Sequence, residues 1–146
     1  MEVVSDPQIT IATAVDDELY AAALRLLPQL SGTPQPLTRD HLAEIVATTD
    51  QFVARVDGAI IGIATLVMYR TPVGVHAWIE DVVVDNAARG KGVGEALTRA
   101  MIERAKQKGV RKLALTSNPR REAANRLYQR LGFTPWQTNL YQLKAE

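Results

Sequence analysis

The sequence predicts an α/β domain on a mixed, twisted sheet, and three observations carry that reading. Two β-rich runs, Gln51 to Val56 and Ala59 to Tyr69, flank Asp57-Gly58, the dipeptide that best fits a two-residue hairpin turn. Apolar residues spaced by three and four mark helices on both sides of that hairpin. The all-apolar run Val82-Val83-Val84 passes through a glycine-rich segment into one of those helices, a strand-to-helix unit. The expected order is β-α-α-β-β-β-α-β-α-β-β, about seven strands and about four helices.

Taken in order, Ile9 to Ala14 mixes β-branched and polar residues as a short strand does, and Asp16 is placed to cap a helix. That helix buries Leu19, Ala22, Ala23, Leu26 and Leu27, with Pro28 and Ser31-Gly32-Thr33-Pro34 expected to end it. Thr38 caps a second helix whose inner face is Leu42, Ile45 and Val46, with Asp40 at its positive end. After the hairpin, Thr71-Pro72-Val73-Gly74 is a turn, and His76 to Val84 is a strand whose apolar end suggests cover on both faces. From Val93, a stripe of Ala96, Leu97, Ala100, Met101 and Ala105 makes a helix stopped by Gly109, with Glu95 and Arg99 paired outside. Leu113 to Thr116 is a short strand. A last helix carries Ala124, Leu127, Tyr128 and Leu131 and ends at Gly132; Phe133 to Trp136 and Thr138 to Leu143 read as closing strands.

A chain of 146 residues suffices for one domain, 1–146, with no repeat or linker to divide it. A net charge of +1 demands neither nucleic acid nor an anionic membrane. The absence of cysteine excludes disulfides, thiolate metal sites and a cysteine nucleophile. No run approaches the roughly 18 apolar residues of a membrane span, and the start Met1 to Pro7 is acidic, so the expected location is cytoplasmic. His41 and His76, the only histidines, lack metal-ligand spacing, and no metal is expected.

Arg89-Gly90-Lys91-Gly92-Val93-Gly94 lies where the strand enters a helix, so several backbone N–H groups there lack intrahelical partners. Two readings fit: a nest for phosphate, with Arg89 and Lys91 adding charge, or a tight turn with both cations solvated. Glu95 breaks the dinucleotide pattern G-x-G-x-x-G, and G-x-x-x-x-G-K-[ST] does not occur.

Val82-Val83-Val84-Asp85 followed by Arg89-x-x-Gly92-x-Gly94 resembles the acyl-CoA signature [RQ]-x-x-G-x-[GA] of the GNAT N-acetyltransferase superfamily. Asn125 to Phe133, with Leu127-Tyr128 and Gly132-Phe133, resembles its second signature, and the likeness spans roughly Ile9 to Leu143. It implies the GNAT fold and direct transfer of acetyl from acetyl-CoA to a primary amine. Such an amine, with a pKa of about 10, must lose a proton to attack, and the departing thiolate benefits from gaining one. The resemblance assigns the acid to Tyr128 and a water-mediated base to Glu80, with Asp81 on the substrate. Strand alternation sends Glu80 and Asp81 to opposite faces unless the strand is bulged. The cofactor segment implied is Val82, Val83 and Val84 through their backbone, then Arg89, Gly90, Lys91, Gly92, Val93 and Gly94. Asn118 and Asn125 are candidates for pantetheine or adenylate, although Arg121 stands where many members place an asparagine. His76 is a candidate for the acceptor pocket.

The acceptor stays open among a polyamine, an amino acid derivative and an aminosugar, against a protein lysine or N-terminus; a non-catalytic acyl-CoA-binding module is the other class. Arg120, Arg121, Arg126 and Arg130 make a basic helix surface without the aromatic interleaving of nucleic-acid binders. Family habit implies a homodimer.

Overall fold

The structure, a computed structural model, describes residues 6–31 and 36–145, so the expected features at 1–5 and 32–34 lie outside the described residues. The described residues fall into two compact units that divide between Leu115 and Thr116. The first contains the sheet and three helices. Its strands are β1 (Gln8–Ile11), β2 (Asp50–Val56), β3 (Ala59–Thr71), β4 (Gly74–Val84) and β5 (Lys112–Ala114), in spatial order β1-β2-β3-β4-β5. Three of the pairings are antiparallel, and β4 with β5 is parallel, so the sheet is mixed as expected.

The helices of this unit are α1 (Asp17–Ser31), α2 (Arg39–Thr48) and α3 (Val93–Gln107). Both anticipated caps form: Asp16 Oδ1 accepts from Leu19 N–H at 2.8 Å, and Thr38 Oγ1 from His41 N–H at 3.1 Å. Helix α1 runs through Pro28 to Ser31 instead of breaking there. A proline forfeits one bond to the preceding turn, and Leu26 and Leu27, buried or packed in the core just before it, hold the helix together.

The register separates the two faces of the sheet. Phe52 pairs with Ala64, Ala54 with Gly62 and Leu66 with Ile79; this face meets Val93, Leu97 and Met101 of α3. Gly62 permits the approach, since a Cβ there would lie 3.2 Å from both Leu97 Cδ1 and Val93 Cγ1. The opposite face carries Val53, Ile63 and Val83, packed with Leu19, Ala22, Ala23 and Leu26 of α1 and Leu42 of α2. Ion pairs follow the same division: Arg104 of α3 meets Asp50 at 2.8 Å, and Glu18 of α1 meets Arg55 at 3.7 Å.

The second unit contains α4 (Glu122–Arg130) and the segment after it. The described residues form five strands and not about seven, because Phe133–Trp136 and Thr138–Leu143 join no ladder. A β-prone run becomes a strand only where a neighbour takes its backbone groups. Here Pro135 offers no donor, Thr138 N–H turns back to Trp136 C=O at 3.0 Å, and Tyr141 and Leu143 stand 85% and 92% exposed.

Candidate active site

The expected alternation along β4 is broken where the chemistry was placed. Thr65 faces Glu80 and Ile63 faces Val83, so two residues of β4, Asp81 and Val82, stand opposite the single Ala64. This is a β-bulge, and Asp81 within it has a positive φ of 51°. The bulge inverts the strand's parity: Ile79 shares the α3 face with Leu66, whereas Val83, four residues on, shares the α1 face with Ile63. Of the three valines, only Val83 is fully buried; Val82 stands in the bulge and Val84 at the end of the strand. The bulge therefore decides the question of opposite faces: simple alternation does not govern Glu80 and Asp81.

Glu80 lies on the α1 side, in a row with Thr65 and Gln51, and is open to solvent. Partial desolvation, and secondarily the adjacent Asp81 carboxylate, push its carboxyl above the ordinary range. A carboxylate raised toward neutrality is a better proton acceptor from an ammonium than an ordinary one. His76 and Trp78 precede Glu80 on the same face by alternation; the His76 ring lies 5.4 Å from that of Tyr69, and its Nε2 lies 3.1 Å from Thr71 Oγ1.

The parallel ladder with β5 ends at Trp78 and Ala114, so among the described strands none continues along that edge of β4 from Ile79 to Val84. Its outward N–H and C=O groups suit the amides of an extended ligand. Past Val84 the chain makes a short 3-10 helix, Asn86–Ala88, and is held to α1. Arg25 pairs with Asp85 at 2.5 Å and donates to Ile60 C=O at 2.7 Å, while Gln29 Oε1 accepts from Asn86 N–H at 2.9 Å. Sequence reasoning gave no sign of this clamp, whose partners are about 60 residues apart.

The glycine-rich segment follows. Gly90 and Gly92 have φ of 82° and 78°, and Gly92 is the N-cap of α3 with no side-chain cap. The first helical bond runs from Ala96 N–H to Gly92 C=O at 3.0 Å, so the N–H groups of Val93 and Gly94 lie ahead of the helix's own hydrogen bonds. About half a positive charge belongs to such a terminus. Arg89 and Lys91 are exposed beside it, and neither side chain pairs with a carboxylate among the described residues. The segment thus fits a diphosphate. Gly92→Ala is expected to cost about 1–2 kcal/mol of backbone strain at this φ. No atom lies within 4 Å of the added Cβ, so the strain acts on the turn alone. Binding of a diphosphate ligand weakened by about tenfold, read by calorimetric titration, is the outcome expected.

The second unit brings together Asn118, Arg121, Asn125 and Tyr128. Asn125 Nδ2 donates to the carbonyls of Asn118 and Arg121, at 3.0 and 2.9 Å, and Asn118 Oδ1 accepts from Arg120 N–H at 2.9 Å. Both asparagines thus shape the turn that enters α4. Tyr128 is 7% exposed and meets Phe133 edge-to-face at 6.0 Å. Gly132, at φ 103°, closes α4 and returns Phe133 N–H to Tyr128 C=O at 3.0 Å. Burial pushes the phenol up and Arg121 partly opposes it, so the hydroxyl stays protonated at neutral pH. No group of three or more His, Asp or Glu among the described residues is arranged to hold a metal ion.

Residues 17–133 match the family described as Acetyltransferase (GNAT) family. A glucosamine 6-phosphate N-acetyltransferase of Trypanosoma brucei brucei is 36% identical over 129 residues, covering 82% of this chain and 85% of that protein. Among solved structures, an acetyltransferase of Trypanosoma brucei superposes with a TM-score of 0.75 at 28% identity, over 95% of this chain and 100% of that one. A putative acetyltransferase of Agrobacterium tumefaciens gives 0.78 at 26% identity, over 92% and 99%.

Proposed function

The chain belongs to the GNAT acetyltransferase family, and on that premise we propose that it acetylates the amine of an aminosugar phosphate at the expense of acetyl-CoA. The observation that carries the acceptor class is the likeness, over 82% of the chain, to a protein named glucosamine 6-phosphate N-acetyltransferase. The site adds chemical support: an acetyl donor with a diphosphate suits the uncapped, glycine-rich start of α3, and a protonated amine suits the carboxylates at the β4 bulge.

Acetyl-CoA supplies an activated thioester, so no acyl-enzyme is needed. Glu80 takes a proton from the ammonium through one water, which frees the nitrogen lone pair for attack on the thioester carbonyl. Asp81 holds the acceptor, with His76 further along the same strand. Backbone N–H groups around Val82 to Val84 hold pantetheine and stabilise the negative charge that develops on the carbonyl oxygen. Arg89, Gly90, Lys91, Gly92, Val93 and Gly94 bind the diphosphate, and Asn118 and Asn125 contribute to the pantetheine or adenylate end. Tyr128 acts as the acid. Its phenol, above 10.0, is weaker than an alkyl thiol near 8.5, so complete transfer to the thiolate is uphill. Tyr128 therefore works mainly as a hydrogen-bond donor to the sulfur as the C–S bond breaks.

The test is release of free thiol from acetyl-CoA in the presence of glucosamine 6-phosphate, glucosamine, a polyamine and a lysine peptide. The highest kcat/KM is expected with glucosamine 6-phosphate. A preference for the peptide or the polyamine would overturn the acceptor class.

A further inference from the structure

Gln51 is 4% exposed, in a sheet face otherwise filled by Val53, Ile63 and Val83. A buried amide is costly unless its hydrogen bonds are made, and here each end has a partner. Gln51 Nε2 donates to Ala64 C=O at 3.0 Å and more weakly to Phe52 C=O at 3.4 Å. Main-chain carbonyls only accept, so the NH2 end of the amide must face them. Gln51 Oε1 is thereby turned to Thr65, whose hydroxyl donates to it at 3.0 Å.

This chain has a direction. The proton of Thr65 is committed to Gln51, and what Thr65 Oγ1 presents elsewhere is its lone pairs alone. Thr65 stands directly opposite Glu80, at the last regular pair before the bulge. Side chains so paired across antiparallel strands have Cβ atoms roughly 4.5–5.5 Å apart, a spacing at which one water can join their polar ends. Such a water gives one hydrogen to Thr65 and the other to the Glu80 carboxylate. Its own lone pair then points outward, toward whatever proton is to be removed.

We infer that Gln51 and Thr65 are positioning residues that fix the orientation of the water through which Glu80 accepts the proton of the acceptor amine. The inference rests on the reading of Glu80 as a water-mediated base. In the step itself, an ammonium N–H bond breaks as an O–H bond forms on the water. The water's original O–H bond to the glutamate side breaks as the carboxyl group forms, so the positive charge of the ammonium and the negative charge of Glu80 are both removed. Without an acceptor at Thr65, the water has no reason to keep its lone pair toward the amine.

Thr65→Val keeps the shape and removes the hydroxyl; Thr65→Ser keeps the hydroxyl. The measurement is steady-state kinetics with glucosamine 6-phosphate for wild type, Thr65→Val, Thr65→Ser, Glu80→Gln and the double variant Thr65→Val/Glu80→Gln, with thermal midpoints recorded alongside. Thr65→Val is expected to lower kcat about tenfold with both KM values nearly constant, a part of the 10²–10⁴-fold available to general base catalysis. Thr65→Ser is expected to restore most of it. Because Thr65 acts only through the base, Thr65→Val should have little further effect once Glu80 is glutamine. Full activity in Thr65→Val, or equal losses from it in the presence and absence of Glu80, overturns the inference while leaving Glu80 as the base. Undiminished activity in Glu80→Gln instead overturns the base assignment itself. Should Thr65→Val fold poorly, an inactive but well-folded Thr65→Ser is the result that removes the proposal.

Discussion

Glu80→Gln is expected to lower kcat/KM for the amine by about 10²–10⁴-fold, the range for removing a positioned general base, with acetyl-CoA binding nearly unchanged. The loss is expected in turnover because the amide occupies the same space but cannot accept the proton. The sign of the pH effect follows from the direction of the shift. Desolvation and Asp81 raise the Glu80 pKa, and the base is active when ionised, so activity should climb as pH rises through that raised value. Stability runs the other way. In the window between the ordinary carboxylate pKa and the raised one, the folded state binds more protons than the unfolded, so the contribution of this group falls as pH increases. Glu80→Gln should therefore flatten the acid limb of the rate profile while gaining thermal stability relative to wild type at neutral pH and not at low pH. A variant that keeps the acid limb would assign the titration to another group.

Tyr128→Phe is expected to lower kcat by about 10²-fold, the scale for losing one donor to a developing anion. The ring remains, with its edge-to-face contact to Phe133 at 6.0 Å, so the fold should be kept. The defect should be nearly constant with pH wherever the raised phenol stays protonated, because a hydrogen bond to the developing thiolate acts in the transition state whatever the protonation of the free thiol. Rate profiles of the two enzymes across that range decide it. Parallel profiles offset by about 10²-fold are the expected result; a defect that disappears above about 8.5 would mean full proton transfer instead, and full turnover of Tyr128→Phe at every pH would falsify the acid assignment.

The two variants also show which parts of the site could be read from the chain. Tyr128 and the Arg89 to Gly94 segment are local: a helix face, a cap and a glycine-rich turn are set by residues a few positions apart, and their pattern is visible in the sequence. The caps at Asp16 and Thr38 and the Asp57-Gly58 hairpin were legible for the same reason. The setting of Glu80 was only half legible. Two adjacent carboxylates suggest a base and a partner, but whether both can serve one side depends on a bulge, and a bulge is a relation between β4 and β3. The polar row from Gln51 through Thr65 to Glu80 was missed because its members, about 15 residues apart, look like ordinary strand positions until the register sets them side by side. The two closing strands failed in the opposite sense: local β propensity was present, and no ladder partner was among the described residues.

By itself, then, the sequence determined the α/β class, the order of helices, the hairpin and the glycine-rich turn into α3, since each follows from short-range periodicity, capping or turn chemistry. The tertiary structure alone decided the strand count, the inversion of β4 at Asp81, the clamp of Arg25 and Gln29 on the segment before the turn, and the register that sets the hydrogen-bonded pair Gln51 and Thr65 beside Glu80. Those are pairings between distant residues, fixed by which backbone groups find partners and which side chains are then forced onto the same face.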